Sequence, residues 1–210
     1  MTGETTPVAH LAAADPVMAR LIRQIGPLSM EKRRRGRPRT DAYGALLRAV
    51  VGQQLSTKAA ATIYGRVLAL FDGEVPTPQQ LLGADVSALR AAGLSGRKIE
   101  YLRDLATHVL DGTLEVDRFA ELDDETVIRE IVAVRGLGEW TAHMFCMFHL
   151  ERPDILPVGD LGIRNAVRTQ YELDDLPNRE QLERIAEPWR PHRTLACLYL
   201  WESLDNAPDE

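Results

Sequence analysis

Apolar residues recur at helical spacing through most of the chain. Val17, Met18, Leu21, Ile22 and Ile25 form the first stripe, opened by Asp15-Pro16 and closed by Gly26: a cap, a first-turn proline and a terminating glycine, in that order. Ala45, Leu46, Ala49 and Val50 form a second, which Thr40 caps and Gly52 ends, and Ser56 caps a third running through Phe71. Thr77-Pro78 opens a short helix, and Val86 to Ala92 gives another. Gly96 to Leu110 then places Ile99, Leu102, Leu105 and Val109 on one face before Gly112. Leu122, Val127, Ile128, Ile131, Val132 and Val134 build the next helix, with Asp123 and Asp124 at its electropositive start. After residue 160 come Leu161, Ile163, Ala166 and Val167, a stop and restart at Pro177-Asn178, then Leu182 and Ile185. A last helix from Pro191 to Leu204 carries Leu195, Leu198 and Trp201. No stretch alternates as a half-buried strand does. The pattern predicts an all-α protein of about ten helices and no sheet.

Composition bounds the class. At 210 residues and 45% hydrophobic, the chain can bury a substantial core as one domain or two intimately packed lobes. No apolar run approaches a membrane span, and the polar start MTGETTPVAH lacks the pattern of a signal peptide; no membrane association and a cytoplasmic location are expected. Cys146 and Cys197 fall inside apolar helical patterns and read as reduced core residues. The net charge of −6 argues against nucleic-acid binding, but charge is unevenly placed. Six of the eight residues from Lys32 to Arg39 are basic, whereas Glu121 to Glu125 and Glu172 to Asp175 are acidic, so local fields matter more than the sum.

Two motifs carry candidate chemistry. Arg135-Gly136-Leu137-Gly138-Glu139-Trp140 sets two glycines around one apolar residue between helical patterns, where glycine permits a tight turn at positive φ. The amides that open the following helix lack intrahelical partners, so those near Gly136, Gly138 and Trp140 can hold a phosphate. An ordinary interhelical turn is the plainer reading of those glycines alone. Further on, Leu156-Pro157-Val158-Gly159-Asp160-Leu161-Gly162-Ile163-Arg164 delivers a single carboxylate to a new helix start. Asp160 reads either as a helix cap or as a catalytic group. Arg97 and Lys98, after the turn Gly93-Leu94-Ser95-Gly96, either touch a phosphate or solvate a helix start.

The glycine hairpin, the Trp-Thr-Ala opening of its second helix and the Pro-x-Gly-Asp loop resemble the helix-hairpin-helix DNA glycosylase superfamily. Within it they are most similar to the 3-methyladenine DNA glycosylase II family, in a compact form without the amino-terminal β domain. The likeness spans roughly residues 15 to 205. It implies a two-lobed helical bundle with the active-site cleft between lobes at about 40–150 and at 1–39 plus 151–210. The implied substrate is double-stranded DNA bearing alkylated bases, excised by base flipping in base excision repair with no cofactor, by a monomer. Asp160 takes the catalytic position, stabilising an oxocarbenium-like sugar, orienting water, or both. Trp140 and Trp201, with Met144, match the pocket for the flipped base. The VGQQLS turn matches the segment that enters the minor groove, which makes Gln54 or Leu55 the wedge; the family often carries an apolar residue where this chain has Gln54. Arg135, Gly136, Leu137, Gly138, Trp140 and Thr141 form the hairpin on the DNA backbone, with Arg97, Lys98 and Arg164 as further phosphate contacts. The resemblance also implies a monovalent cation at the hairpin carbonyls and no transition metal.

Two features fix the subclass. Strand-cutting relatives carry a nucleophilic lysine in the second hairpin helix where this chain has Trp140, so the resemblance implies a monofunctional enzyme leaving an abasic site. Cluster-bearing relatives need four cysteines, and the chain has two. The alternatives are a helix-hairpin-helix DNA-binding protein without chemistry, which needs neither Asp160 nor the paired tryptophans, and an all-helical protein-interaction scaffold.

Overall fold

The computed structural model describes residues 6–28 and 40–205; the basic run from Lys32 to Arg39 lies outside them. The described residues form twelve α-helices and two short 3-10 turns, with no strand, so the all-α expectation holds and the helix count rises. They divide into two compact units, one from the ranges 1–37 and 146–210 and one from 38–145.

The first unit contains α1 (Pro7–Ala14), α2 (Pro16–Ile25), α10 (Leu161–Gln170), α11 (Arg179–Ala186) and α12 (Arg193–Asp205). Helix α1 was not expected, yet Thr6 caps it and Pro7 opens it, the same signature that marks α2. The centre is α12, where Ala196, Cys197, Leu198, Tyr199 and Leu200 are all fully buried, as a helix packed by both α10 and α2 requires. Burial pushes the Cys197 thiol well above its ordinary range, which keeps it protonated and inert. The helix starts at Arg193, two residues later than its sequence suggests, because Asp154 from a distant loop accepts the Arg193 backbone N–H at 3.2 Å.

Asp15 does more than cap α2. Its Oδ1 accepts the N–H groups of Val17 and Met18, while its Oδ2 accepts the Trp189 indole N–H at 2.8 Å and the Tyr171 hydroxyl at 2.5 Å. Burial, reinforced by this carboxylate, holds the Tyr171 phenol far above its usual range, so it donates at any working pH. Replacing Asp15 by Ala removes a cap and strands the donor of fully buried Trp189, which we expect to cost roughly 3–5 kcal/mol. Urea unfolding followed by tryptophan fluorescence checks this; a midpoint unchanged from wild type contradicts it.

The second unit contains α3 (Ala42–Gly52), α4 (Thr57–Ala69), α5 (Pro78–Gly83), α6 (Val86–Ala91), α7 (Gly96–Leu110) and α8 (Asp124–Ala133). Helix α9 (Glu139–Phe148) begins here and ends in the first unit. The long α7 packs on α5 and α3 through buried Ile99, Leu102 and Leu105. Asp41 rather than Thr40 caps α3, accepting the Gly44 N–H at 2.7 Å, while the Thr40 hydroxyl donates to the Asp41 carbonyl. The carboxylate, a stronger N-cap acceptor than the threonine hydroxyl, takes the third helical amide. Phe119 and Phe145, both buried in this core, meet edge to face with centroids 5.6 Å apart.

Candidate active site and nucleic-acid interface

Asp160 is the N-cap of α10, and its Oδ1 accepts the Ile163 N–H at 2.8 Å. The capping geometry expected from the sequence is therefore present, but the same oxygen also accepts the Trp201 indole N–H at 3.0 Å. Two donors fix the orientation of a half-buried carboxylate at the positive end of a helix. Gly162 makes the approach possible: a Cβ there would lie 3.0 Å from Asp160 Oδ1 and 3.2 Å from the indole, closer than ordinary contact. The Trp201 ring stacks on Phe148, with centroids 6.1 Å apart and planes inclined by 30°.

The loop that carries Asp160 is fastened along α12. Arg193 grips the Asp154 carboxylate through Nε at 2.8 Å and Nη2 at 3.0 Å, and Arg190 adds a third bond at 2.8 Å. The Thr194 hydroxyl donates to the Arg152 carbonyl and accepts the Ile155 N–H. Arg193 and Thr194 hold the near end of the loop and Trp201, about two turns along the same helix, holds the far end. Such bidentate, charge-assisted bonds are specific in geometry, so the position of Asp160 is set by a rigid element rather than by a flexible turn.

In the second unit the hairpin departs from its symmetrical reading. Gly136 has φ 85 and the Tyr101 ring lies against it, 2.2 Å from where a Cβ would stand. Gly138 is not at positive φ and has open space at its Cβ position, so only the first glycine is conformationally required. The Arg135 N–H donates to Asp104 Oδ2 at 2.8 Å, and the Arg135 guanidinium sits 3.2 Å from Glu100 on an exposed surface. The Leu137 N–H is committed to the Val134 carbonyl, whereas the amides of Gly136 and Gly138 meet no acceptor among the described residues. Leu137 and Thr141 are buried, at 3% and 7% exposure, so their side chains support the hairpin from within rather than face solvent. The carbonyls of Val134, Gly136 and Gly138 each accept one hydrogen bond and keep a second lone pair, so these are the groups that would hold a monovalent cation. Among the described residues no group of three or more His, Cys, Asp or Glu side chains is placed to hold a metal ion.

Trp140 is 51% exposed, which removes core packing as its role; Met144 is half-buried. Gln54 occupies the left-handed region at φ 57, a conformation glutamine adopts at a cost of about 1 kcal/mol or more. Both it and Leu55 are exposed at the tip of the turn between α3 and α4. Of the proposed phosphate contacts only Arg97 is an exposed side chain. Lys98 donates from Nζ to the Val51 carbonyl at 2.7 Å, burial lowers its pKa, and its first task is to cap the end of α3. Arg164 donates from Nε to the Pro177 carbonyl at 2.9 Å, tying α10 to the following loop. Sequence reasoning missed Gln53, Tyr101, Asp104, Phe148 and Gly162; only Gly162, two residues after Asp160, carried a local signal.

The sequence matches a family model described as HhH-GPD superfamily base excision DNA repair protein over residues 47–191. It is 34% identical over 209 residues to DNA-3-methyladenine glycosylase 1 of Schizosaccharomyces pombe, spanning 97% of this chain and 89% of that relative. Among solved structures it is similar to a DNA-3-methyladenine glycosidase from Bacillus halodurans, with a TM-score of 0.85 and 35% identity over 98% of this chain and 92% of that one. It is also similar to an S. pombe 3-methyladenine DNA glycosylase in complex with abasic DNA, with a TM-score of 0.80 and 31% identity over 97% of this chain and 98% of that one. A match over more than half its length, spanning both the hairpin and the Asp160 loop, places the chain in a family: it belongs to the HhH-GPD superfamily of base excision DNA repair proteins.

Proposed function

We propose that the protein hydrolyses the N-glycosidic bond of alkylated bases of the 3-methyladenine class in duplex DNA, acting as a monofunctional glycosylase and a monomer. The observation that carries this reading is the Asp160 carboxylate, held at one oxygen by the Ile163 amide and the Trp201 indole, in a chain whose relatives bear the name DNA-3-methyladenine glycosylase.

An alkylated purine is cationic and already a good leaving group, so the enzyme has to reach the bond and support the sugar as charge develops. Flipping the nucleotide costs a few kcal/mol, which Gln54 or Leu55 offsets by filling the gap. A cationic base against an indole face gains on the order of 0.5–2 kcal/mol; Trp140 and Trp201 are the candidate faces, and Met144, one turn after Trp140 on α9, is the candidate polarisable apolar contact. The N-glycosidic bond breaks with its electron pair leaving on the base, Asp160 stabilises the cationic sugar, and a water oxygen bonds to C1′ while its proton passes to solvent. The amides of Gly136 and Gly138 hold the backbone phosphate and Arg97 adds charge; the carbonyls of Val134, Gly136 and Gly138 would hold a monovalent cation, which would supply further positive charge.

Helix α9 contains no lysine, so no Schiff base forms from it. Incubation with a lesion duplex is expected to leave an abasic strand that breaks only on alkali treatment, and borohydride should trap no protein–DNA adduct. Strand cleavage without alkali contradicts the monofunctional assignment. A protein that binds such duplexes and releases no base would instead be the non-catalytic hairpin protein.

Trp201 has two separable contributions. Trp201→Phe keeps an aromatic face beside Phe148 and removes the Nε1–H donor to Asp160. Losing one hydrogen bond to a charged group is expected to lower the single-turnover excision rate by roughly 10- to 100-fold with little change in lesion-duplex affinity. A wild-type rate would mean that only the ring face matters.

A further inference from the structure

Gln53 lies immediately before the wedge turn and reaches across 83 residues of sequence to donate from Nε2 to the Gly136 carbonyl at 2.8 Å. A carbonyl acceptor admits only the amide nitrogen, so the side chain's orientation is fixed by its partner. We propose that Gln53 is a positioning residue that locks the Gln54-Leu55 turn to the hairpin, so that gripping a phosphate and inserting the wedge occur as one rigid movement. The inference rests on the wedge role assigned above to that turn.

Helix α7 supplies the frame. Lys98, Tyr101 and Asp104 recur every three residues along one side of it, spanning about 9 Å of helix. Lys98 holds the Val51 carbonyl at the end of α3, Tyr101 lies against Gly136, and Asp104 accepts the Arg135 N–H. The turn and the hairpin are thus each anchored to α7, and Gln53 closes the remaining side directly between them. The position of this bond argues for function over bulk stability. It is a half-exposed surface contact; it sits beside Gln54, the residue at φ 57, and on a carbonyl of the same hairpin whose Gly136 and Gly138 amides meet no acceptor among the described residues. A strained turn keeps its shape only when the structure on both sides over-determines it. Here Lys98 acts on one side through α3, and Gln53 adds the link to the element that meets DNA.

The test uses the whole protein, a duplex with 2-aminopurine beside a single alkylated base, and three readouts: affinity for undamaged duplex, the stopped-flow fluorescence of flipping, and single-turnover excision. Gln53→Leu keeps bulk and removes the donor, and Gln53→Glu sets an oxygen against the carbonyl. For Gln53→Leu the expected result is affinity for undamaged duplex within twofold of wild type, with flipping and excision both slowed about tenfold, the worth of one net hydrogen bond; Gln53→Glu should be slower still. Wild-type flipping in both variants overturns the proposal, and so does a parallel loss of undamaged-duplex affinity, which would make Gln53 a support of the hairpin alone. The double variant Gln54→Ala/Leu55→Ala separates the two ideas. If it slows flipping while Gln53→Leu does not, the strut is wrong and the wedge stands; if it flips at the wild-type rate, the wedge assignment fails and takes the strut with it.

Discussion

Asp160→Asn is expected to lower single-turnover excision of an alkylated base by about a thousandfold, the scale of losing one pre-placed electrostatic group, while leaving folding and duplex affinity unchanged. The substitution separates the capping role of Asp160 from the catalytic role proposed for it. Asparagine caps helices as well as aspartate does, and its amide oxygen can accept the same bonds from the Ile163 amide and the Trp201 indole that Asp160 Oδ1 accepts. What disappears is the negative charge that the proposed mechanism sets against the developing sugar cation. A residue that only capped α10 would tolerate the change, so thermal unfolding at the wild-type temperature combined with a rate near the detection limit assigns Asp160 to the chemistry. A rate within a few fold of wild type would return it to the role of a cap.

Gly136→Ala is expected to be the most damaging single change at the hairpin. It places a side chain at φ 85, a strain of about 1–3 kcal/mol, and drives a Cβ to 2.2 Å from the Tyr101 ring, which adds an overpacking cost of similar size. We expect stability to fall by roughly 2–5 kcal/mol in urea titrations, and affinity for damaged and undamaged duplexes to fall by the same factor, because the backbone-phosphate contact proposed for the hairpin carries no sequence information. Gly138→Ala meets open space and no positive φ, so its stability should stay within about 0.5 kcal/mol of wild type. Equal destabilisation by the two substitutions would contradict this asymmetry, as would weakening that depended on the lesion.

Much of the local architecture was legible because it is local chemistry. Asp15-Pro16, Ser56, Thr77-Pro78, Asp123 and Asn178 each announce a helix start, and each caps one. Where two capping residues were adjacent, at Thr40 and Asp41, periodicity could not choose between them; at Thr6-Pro7 the signal was present but the helix it opens is short and rich in alanine. The start of α12 was misplaced because its cap comes from Asp154, 39 residues away. The same limit applies to the candidate site. Asp160 and the hairpin glycines were readable from spacing, but the inequality of Gly136 and Gly138 depends on where Tyr101 falls, 35 residues earlier in the chain. Lys98 and Arg164 looked free for phosphates and are engaged at the Val51 and Pro177 carbonyls. Asp15 looked like a cap and gathers Tyr171 and Trp189 from 156 and 174 residues away. In each case the overriding partner is long-range in sequence, and neither periodicity nor capping preference encodes it.

The most direct test of the account is release of free base from a panel of duplexes, each carrying one lesion: 3-methyladenine, 7-methylguanine, ethenoadenine, hypoxanthine or 1-methyladenine. Free base is measured by mass spectrometry and abasic sites by alkaline cleavage of the same samples. Stoichiometric free base and abasic sites are predicted from the 3-methyladenine duplex, with release slowed about a thousandfold in Asp160→Asn. Duplex binding with no base released from any member of the panel would contradict it, and would leave the protein a hairpin-bearing DNA-binding protein without glycosylase chemistry.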